Sequence, residues 1–332
     1  MITILGNIVF TLKGGAIVDI KRFTEYKDKI VGSVSKAIVG KEREIEMVVN
    51  CYVCSGHVLL EDVPGTGKTM LLRAFSRSVG GEFRRIQFTP DLLPSDLTGI
   101  NFYNQKHGEF EFRKGPLFSD VVLADEINRA TPRTQSSLLE AMEERQISVD
   151  GVTYPLGRDF MVMATQNPLE SYGTFPLPEA QIDRFFMRLS LGYMTRQQEL
   201  TVLGRESTID IIEALSPVVS KEETDYVKAH FREVEFAPDV QGYLMDLVEK
   251  TRGESAFITG VSTRGALALY KACQVNAAFA GREYVIPEDI RDVAKPVLAH
   301  RIVSGSGARG KDAELLLNRM IDEVPVPLEK RE

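Results

Sequence analysis

Short apolar runs alternate with longer amphipathic stretches through the first two thirds of the chain. The runs Val58–Val63, Phe83–Thr89, Val121–Asp125, Phe160–Thr165 and Phe186–Leu191 read as strands. Several are almost continuously apolar, as strands covered on both faces of a parallel sheet are. Between them, Lys68–Val79 places Leu71, Leu72, Phe75 and Val79 on one helical face, and Thr134–Arg145 does the same with Leu138, Leu139 and Met142. Strand and helix in alternation predict an α/β layered domain on a parallel five-stranded sheet. Two hairpins interrupt it. Asn101–Tyr103 and Phe110–Phe112 flank the turn 104–108, and Ile147–Val149 and Val152–Tyr154 flank Asp150-Gly151, a two-residue turn signal. Pattern alone does not decide whether they are decoration or working parts.

After Thr195 the strand signal fades. Helical periodicity runs through Gln197–Arg205, Lys221–Val234, Asp239–Arg252, Ser262–Ala280, Pro287–Arg301 and Asp312–Val324, broken at Pro238, Gly253, Gly260, Gly281 and the Gly/Ser-rich stretch Ser304–Gly310. The expected division is an extension (1–19), an α/β core (20–194) and a separate all-helical domain (195–332).

Composition narrows the class. The 332 residues suffice for two domains, and 43% hydrophobic with 26% charged residues is ordinary for a soluble globular chain. A net charge of −7 weighs against a binder dominated by phosphate contacts, so a nucleic-acid partner is not expected. No apolar run approaches the ~18–20 residues needed to span a bilayer. The first eighteen residues lack a basic start and are broken by Gly6, Lys13, Gly14 and Gly15, so they read as an irregular extension, not a signal peptide. The cytoplasm is the expected location. Cys51-x-x-Cys54, with His57 nearby, raises a metal site; the helical pattern Ile45, Val48, Val49, Val53 instead buries both thiols, and only the distant Cys273 remains as a further ligand.

The chemistry concentrates at residues 61–69, EDVPGTGKT, between an apolar strand and an amphipathic helix. This is the order of a phosphate-cradling P-loop: Gly65 and Gly67 let the backbone curl, and the N–H groups of Pro64–Met70 and the helix start (Pro64 itself lacking one) face the phosphates around Thr66. Lys68 reaches the terminal phosphates and Thr69 is placed to ligate Mg²⁺. The strict pattern asks for glycine at position 62, where this chain has Asp62. The run Val121–Ala124 ends on Asp125-Glu126, a Walker B pattern in which Asp125 helps hold Mg²⁺ and Glu126 polarises a water for attack on the γ-phosphate. Asn167, at the end of the next strand, reads either as a water-orienting amide or as a turn-initiating Asn-Pro. Arg184 and Arg188 read either as surface residues or as an arginine finger projecting onto a neighbouring subunit. Arg264 sits against the dipole near a helix start, which an anionic ligand would relieve, so it is a candidate nucleotide sensor.

Together these blocks resemble the MoxR family of AAA+ ATPases. GHVLLEDVPGTGKT, RIQFTPDLLPSDLTG, GPLFSDVVLADEINRA, LLEAMEERQISVDG, ATQNP, YGTFPLPEAQIDRF, GVSTRGALAL and the tail HRI…IDEVPVP look like that family's blocks in its order, covering roughly residues 30–327. The resemblance implies a P-loop NTPase core with a helical lid, Lys68 and Thr69 as Walker A, Asp125 and Glu126 as Walker B, Asn167 as sensor 1, Arg184 (or Arg188) as the finger and Arg264 as sensor 2. It makes the hairpins the helix-2 insert and the pre-sensor-1 hairpin, and it softens the Asp62 departure, since the family often has an acidic residue there. It further implies ATP as substrate with Mg²⁺, a homo-hexameric ring, and a chaperone-like role on proteins containing a von Willebrand factor A domain, sometimes in metal-cofactor insertion. Two rivals stand beside it: a nucleic-acid-dependent motor, and a nucleotide-gated scaffold without turnover.

Overall fold

The computed structural model describes residues 18–63, 65–166, 173–205, 207–304 and 311–327. In chain order its strands are β1 (Val58–Glu61), β2 (Phe83–Gln87), β3 (Gly99–Asn104), β4 (Glu109–Lys114), β5 (Val121–Asp125), β6 (Gln146–Val149), β7 (Val152–Pro155), β8 (Met161–Gln166), β9 (Met187–Leu189), β10 (Phe257–Thr259) and β11 (Val303–Ser304). The helices are α1 (Ile20–Val34), α2 (Glu42–Val53), α3 (Lys68–Val79), α4 (Pro94–Thr98), α5 (Pro132–Glu144), α6 (Glu179–Ile182) and α7 (Arg196–Leu203). They continue with α8 (Thr208–Glu213), α9 (Lys221–His230), α10 (Pro238–Gly253), α11 (Thr263–Phe279), α12 (Pro287–Leu298) and α13 (Lys311–Glu323).

Five strands form one parallel sheet in the order β2-β5-β8-β1-β9. The period of two along each strand explains its double burial. Val121 and Leu123 of β5, Met161 and Met163 of β8, and Val58 and Leu60 of β1 face one apolar cluster. Val122, Ala124, Val162, Ala164 and Leu59 face the other, against α5. This is the expected α/β class, with the helical lid following it. Because β5 lies between β2 and β8, the polar tips of three strands distant in sequence converge at one edge.

The expected hairpins form, and Asp150-Gly151 turns with φ of +50° and +82°. They also pack on each other: Phe112 stacks on Tyr154 with ring centroids 4.3 Å apart, and Asn101 Nδ2 donates to Asp150 at 2.7 Å. The helical part is less separate than its pattern suggests. One apolar cluster runs from the sheet through α1 and α2 into α9–α13. Tyr26 shares a buried hydrogen bond with Thr224 (3.1 Å), and Asn50 Nδ2 donates to Ala272 O at 3.0 Å. A small antiparallel ribbon of β10 and β11 also lies within it, too short to leave a periodic trace.

The Cys51-x-x-Cys54 motif falls at the end of α2 with both thiols buried, and burial pushes them up from their ordinary pKa. His57 is equally committed: its Nδ1 accepts from Val162 N (2.9 Å), so its Nε2–H donates to Met142 O (3.1 Å). No ring nitrogen is left for a metal.

Candidate active site

The loop after β1 turns through Gly65 (φ +84°) and Gly67 (φ +88°), where backbone conformation alone demands glycine, since a Cβ on either would meet no heavy atom within 4 Å. Pro64 lies outside the described residues. The Thr66 hydroxyl donates to Val63 O at 3.3 Å. Lys68 Nζ folds back over the loop to donate to Asp62 O (3.0 Å) and Val63 O (3.3 Å). Thr69 and Met70 stand in the first turn of α3, Met70 half-buried against the core.

At the tip of β5, Asp125 Oδ1 accepts the Thr165 hydroxyl at 2.6 Å and Oδ2 pairs with Arg85 at 2.7 Å. Glu126 has φ +57° and ψ +50°, a left-handed conformation costing about 1–2 kcal/mol for a residue with a Cβ. Its N–H donates to the same Thr165 Oγ1 at 2.8 Å, so one hydroxyl fixes both acidic residues. The Glu126 carboxylate accepts from Gln87 Nε2 (2.7 Å) and pairs with Arg129 (2.9 Å).

Sequence reasoning gave no site role to Thr165, Gln87 or Arg85. The signal lies in strand order: once β2 and β8 flank β5, their tips must meet Asp125 and Glu126, with Gln87 opposite Asp125. The donor set fits Mg²⁺: the Thr69 hydroxyl and the Asp125 carboxylate are the hard oxygen ligands it prefers.

The arginines form a second group. Arg184 Nε pairs with Glu143 at 3.0 Å, and Arg264 pairs with the same Glu143 and, at 3.7 Å, with Asp183. Asp183 also accepts from the Ser262 hydroxyl (3.2 Å) and pairs with Arg301 at 2.8 Å. The Arg301 side chain, 2% exposed, further donates to the carbonyls of Phe185 (2.7 Å), Phe186 (3.3 Å) and Val297. This binds the Arg184 segment to the lid. Arg188 points elsewhere: its side chain, 8% exposed, bridges Glu61 (3.0 Å) on β1 and Glu314 (2.9 Å) on α13. Asn167 lies outside the described residues. Two groups therefore emerge: Asp125 and Glu126 at the tip of β5, on the same sheet edge as the loop after β1 that carries Lys68, and Arg184 with Arg264, held by Glu143 and Asp183, to which sequence reasoning gave no role.

The chain matches the profile of the ATPase family associated with various cellular activities (AAA) over residues 57–187 and that of the AAA lid domain over 249–319. It is 46% identical to the YeaC protein of Bacillus subtilis, over 91% of this chain and 95% of that one. It is 38% identical to the chaperone MoxR1 of Mycobacterium tuberculosis, over 90% of this chain and 82% of that one. A crystal structure of a protein from Cytophaga hutchinsonii is similar with a TM-score of 0.85 and 38% identity, covering 93% of this chain and 98% of that one. A P-loop, an acidic strand tip beside it and a helical lid define an AAA+ ATPase, an enzyme that hydrolyses ATP. Within that class the chain belongs to the MoxR family.

Proposed function

We propose that this ATPase works in the cytoplasm as a homo-hexameric ring and uses ATP hydrolysis to remodel or activate a partner protein. ATP lies along Pro64–Met70. Lys68 leaves the carbonyls of Asp62 and Val63 for the terminal phosphates, and Glu126, steadied by Gln87 and Arg129, takes the proton of a water oriented by Asn167. Thr69 and Asp125 would hold Mg²⁺, which when bound neutralises charge on the phosphate oxygens. Arg184 reaches the ATP of the neighbouring subunit, and Arg264 of the lid senses the γ-phosphate. Their shared hold on Glu143 supports a joint release of the two.

The observation that carries the remodelling step is the β3–β4 hairpin, which leaves Phe110 74% and Tyr103 54% exposed beside Ile100 and Phe102. Large apolar side chains gathered in solvent mark an interaction surface. The chaperone name of the Mycobacterium tuberculosis relative points the same way. The expected partner carries a von Willebrand factor A domain, acting in complex assembly or metal-cofactor insertion. Among the described residues no helix is long and apolar enough to cross a membrane.

Glu126→Gln tests the reading. The variant should bind ATP, lose turnover by about 10²–10⁴-fold, and trap the partner when ATP is present. Wild-type turnover no faster than that of Glu126→Gln would sink the assignment. Chelation by EDTA should abolish hydrolysis, and sedimentation should show the ring.

A further inference from the structure

Where the P-loop pattern asks for its first glycine, Asp62 makes contacts that no glycine can make. Its carboxylate is buried and accepts three backbone N–H groups: Val63 (2.9 Å) on one oxygen, Leu191 (2.7 Å) and Gly192 (2.8 Å) on the other. A buried carboxylate must be satisfied in this way, and bonds to an ionised acceptor are roughly twice as strong as neutral ones. Leu191 and Gly192 are where the chain leaves β9 and turns, at a Gly192 φ of +61°, toward α7 and the lid. The Lys41 ammonium clasps the same passage through the carbonyls of Leu191 and, at 3.4 Å, Tyr193. One residue earlier, Glu61 is tied through Arg188 to Glu314 of α13.

The main chain of Asp62 faces the other way. Its carbonyl accepts from Lys68 Nζ at 3.0 Å, and the Val63 carbonyl does so at 3.3 Å. A phosphate that draws Lys68 away removes the donor from both carbonyls. Release of both carbonyls frees the backbone at Asp62 to shift, and a displacement of its Cα carries the carboxylate relative to the two junction amides. We propose that Asp62 is a positioning residue that reports phosphate occupancy at Lys68 to the core–lid junction. The proposal rests on the ATP-binding reading of the loop and adds a specific mechanical link to it.

Hydrogen exchange on the full wild-type chain, with and without saturating ADP, tests the link without relying on any variant to fold. Exchange at the Leu191 and Gly192 amides should change by about ten-fold or more on ADP addition. ADP binding is followed in parallel with a fluorescent ADP. Binding with no change at the junction rejects the link and leaves the ATPase reading standing; no binding rejects both. Asp62→Gly, which restores the motif glycine, should bind ADP within about three-fold of wild type while kcat falls about ten-fold and the junction response disappears. Asp62→Asn keeps an oxygen for Leu191 and Gly192 at the expense of the Val63 contact, and should recover most of both. A retained response in Asp62→Gly, or no recovery in Asp62→Asn, overturns the proposal.

Discussion

The two ends of the site hold their charges in different ways. At the strand tips, Asp125 and Glu126 face Arg85 and Arg129, whose side chains are 49% and 45% exposed. Such pairs contribute about 0–1 kcal/mol and give way readily to a better partner. At the seam between core and lid, Arg301 and Arg188 are almost wholly buried and bound on several sides. Freeing Arg301 would strand the carbonyls of Phe185, Phe186 and Val297, and freeing Arg188 would take a pair from half-buried Glu61. Arg184 and Arg264 lie beside this seam in space, but their side chains, 31% and 48% exposed, are far more open than those of Arg301 and Arg188. Burial, more than residue type, separates arginines able to change partners during turnover from those that hold the frame.

Substituting the arginines tests that division most sharply. Arg184→Ala should lower turnover by about 10³-fold or more with the subunits still assembled, measured as steady-state hydrolysis alongside sedimentation. Full activity in an intact assembly would end the finger assignment. Arg188→Ala, four residues on, should do the reverse: it takes the Arg188 pair from half-buried Glu61 and leaves Glu314 with Lys295 alone, lowering stability by about 2–3 kcal/mol in denaturant melts, with activity per folded molecule changed far less. If the two variants behaved alike, burial would not be the discriminating property.

A smaller effect comes from His57, a buried group held neutral. Burial pushes its pKa down from 6.5 to about 3. The unfolded chain therefore takes up a proton that the folded chain refuses. Stability is complete above pH 6.5 and falls as pH drops from there toward 3, by about 2 kcal/mol at pH 5 from this residue. His57→Gln should flatten that part of a stability-against-pH curve, whatever its effect at pH 7. The smallest change expected is for Glu143→Gln, which weakens the hold on two exposed arginines worth about 0.2–1 kcal/mol each and should raise turnover by about two-fold to three-fold. A fall would mean that Glu143 aligns these arginines and does not restrain them.

The chain states locally what is local. Gly65, Gly67, Lys68, Asp125 and Glu126 sit at the end of apolar runs, and the sheet class follows from the runs themselves. Asp150-Gly151 declares its own turn. Thr165, Gln87 and Arg85 carry no such mark, because strand order brings them to the site and neighbours in sequence do not. Glu143 and Asp183 look like any surface acids until Arg184, Arg264 and Arg301 converge on them. Asp62 looked like a missing glycine; only the path of residues 191 and 192 reveals its partners.

The apolar cluster that runs unbroken from the sheet through α1 and α2 into α9–α13 limits what the lid can do. Phe23, Tyr26 and Ile30 are fully buried within it, so a wide swing would expose them to water. Small sliding displacements of packed helices are the compatible motion. Any movement of the lid during turnover is accordingly expected to be short and stiff, a matter of ångströms, and a pair of distance labels across the seam would measure it.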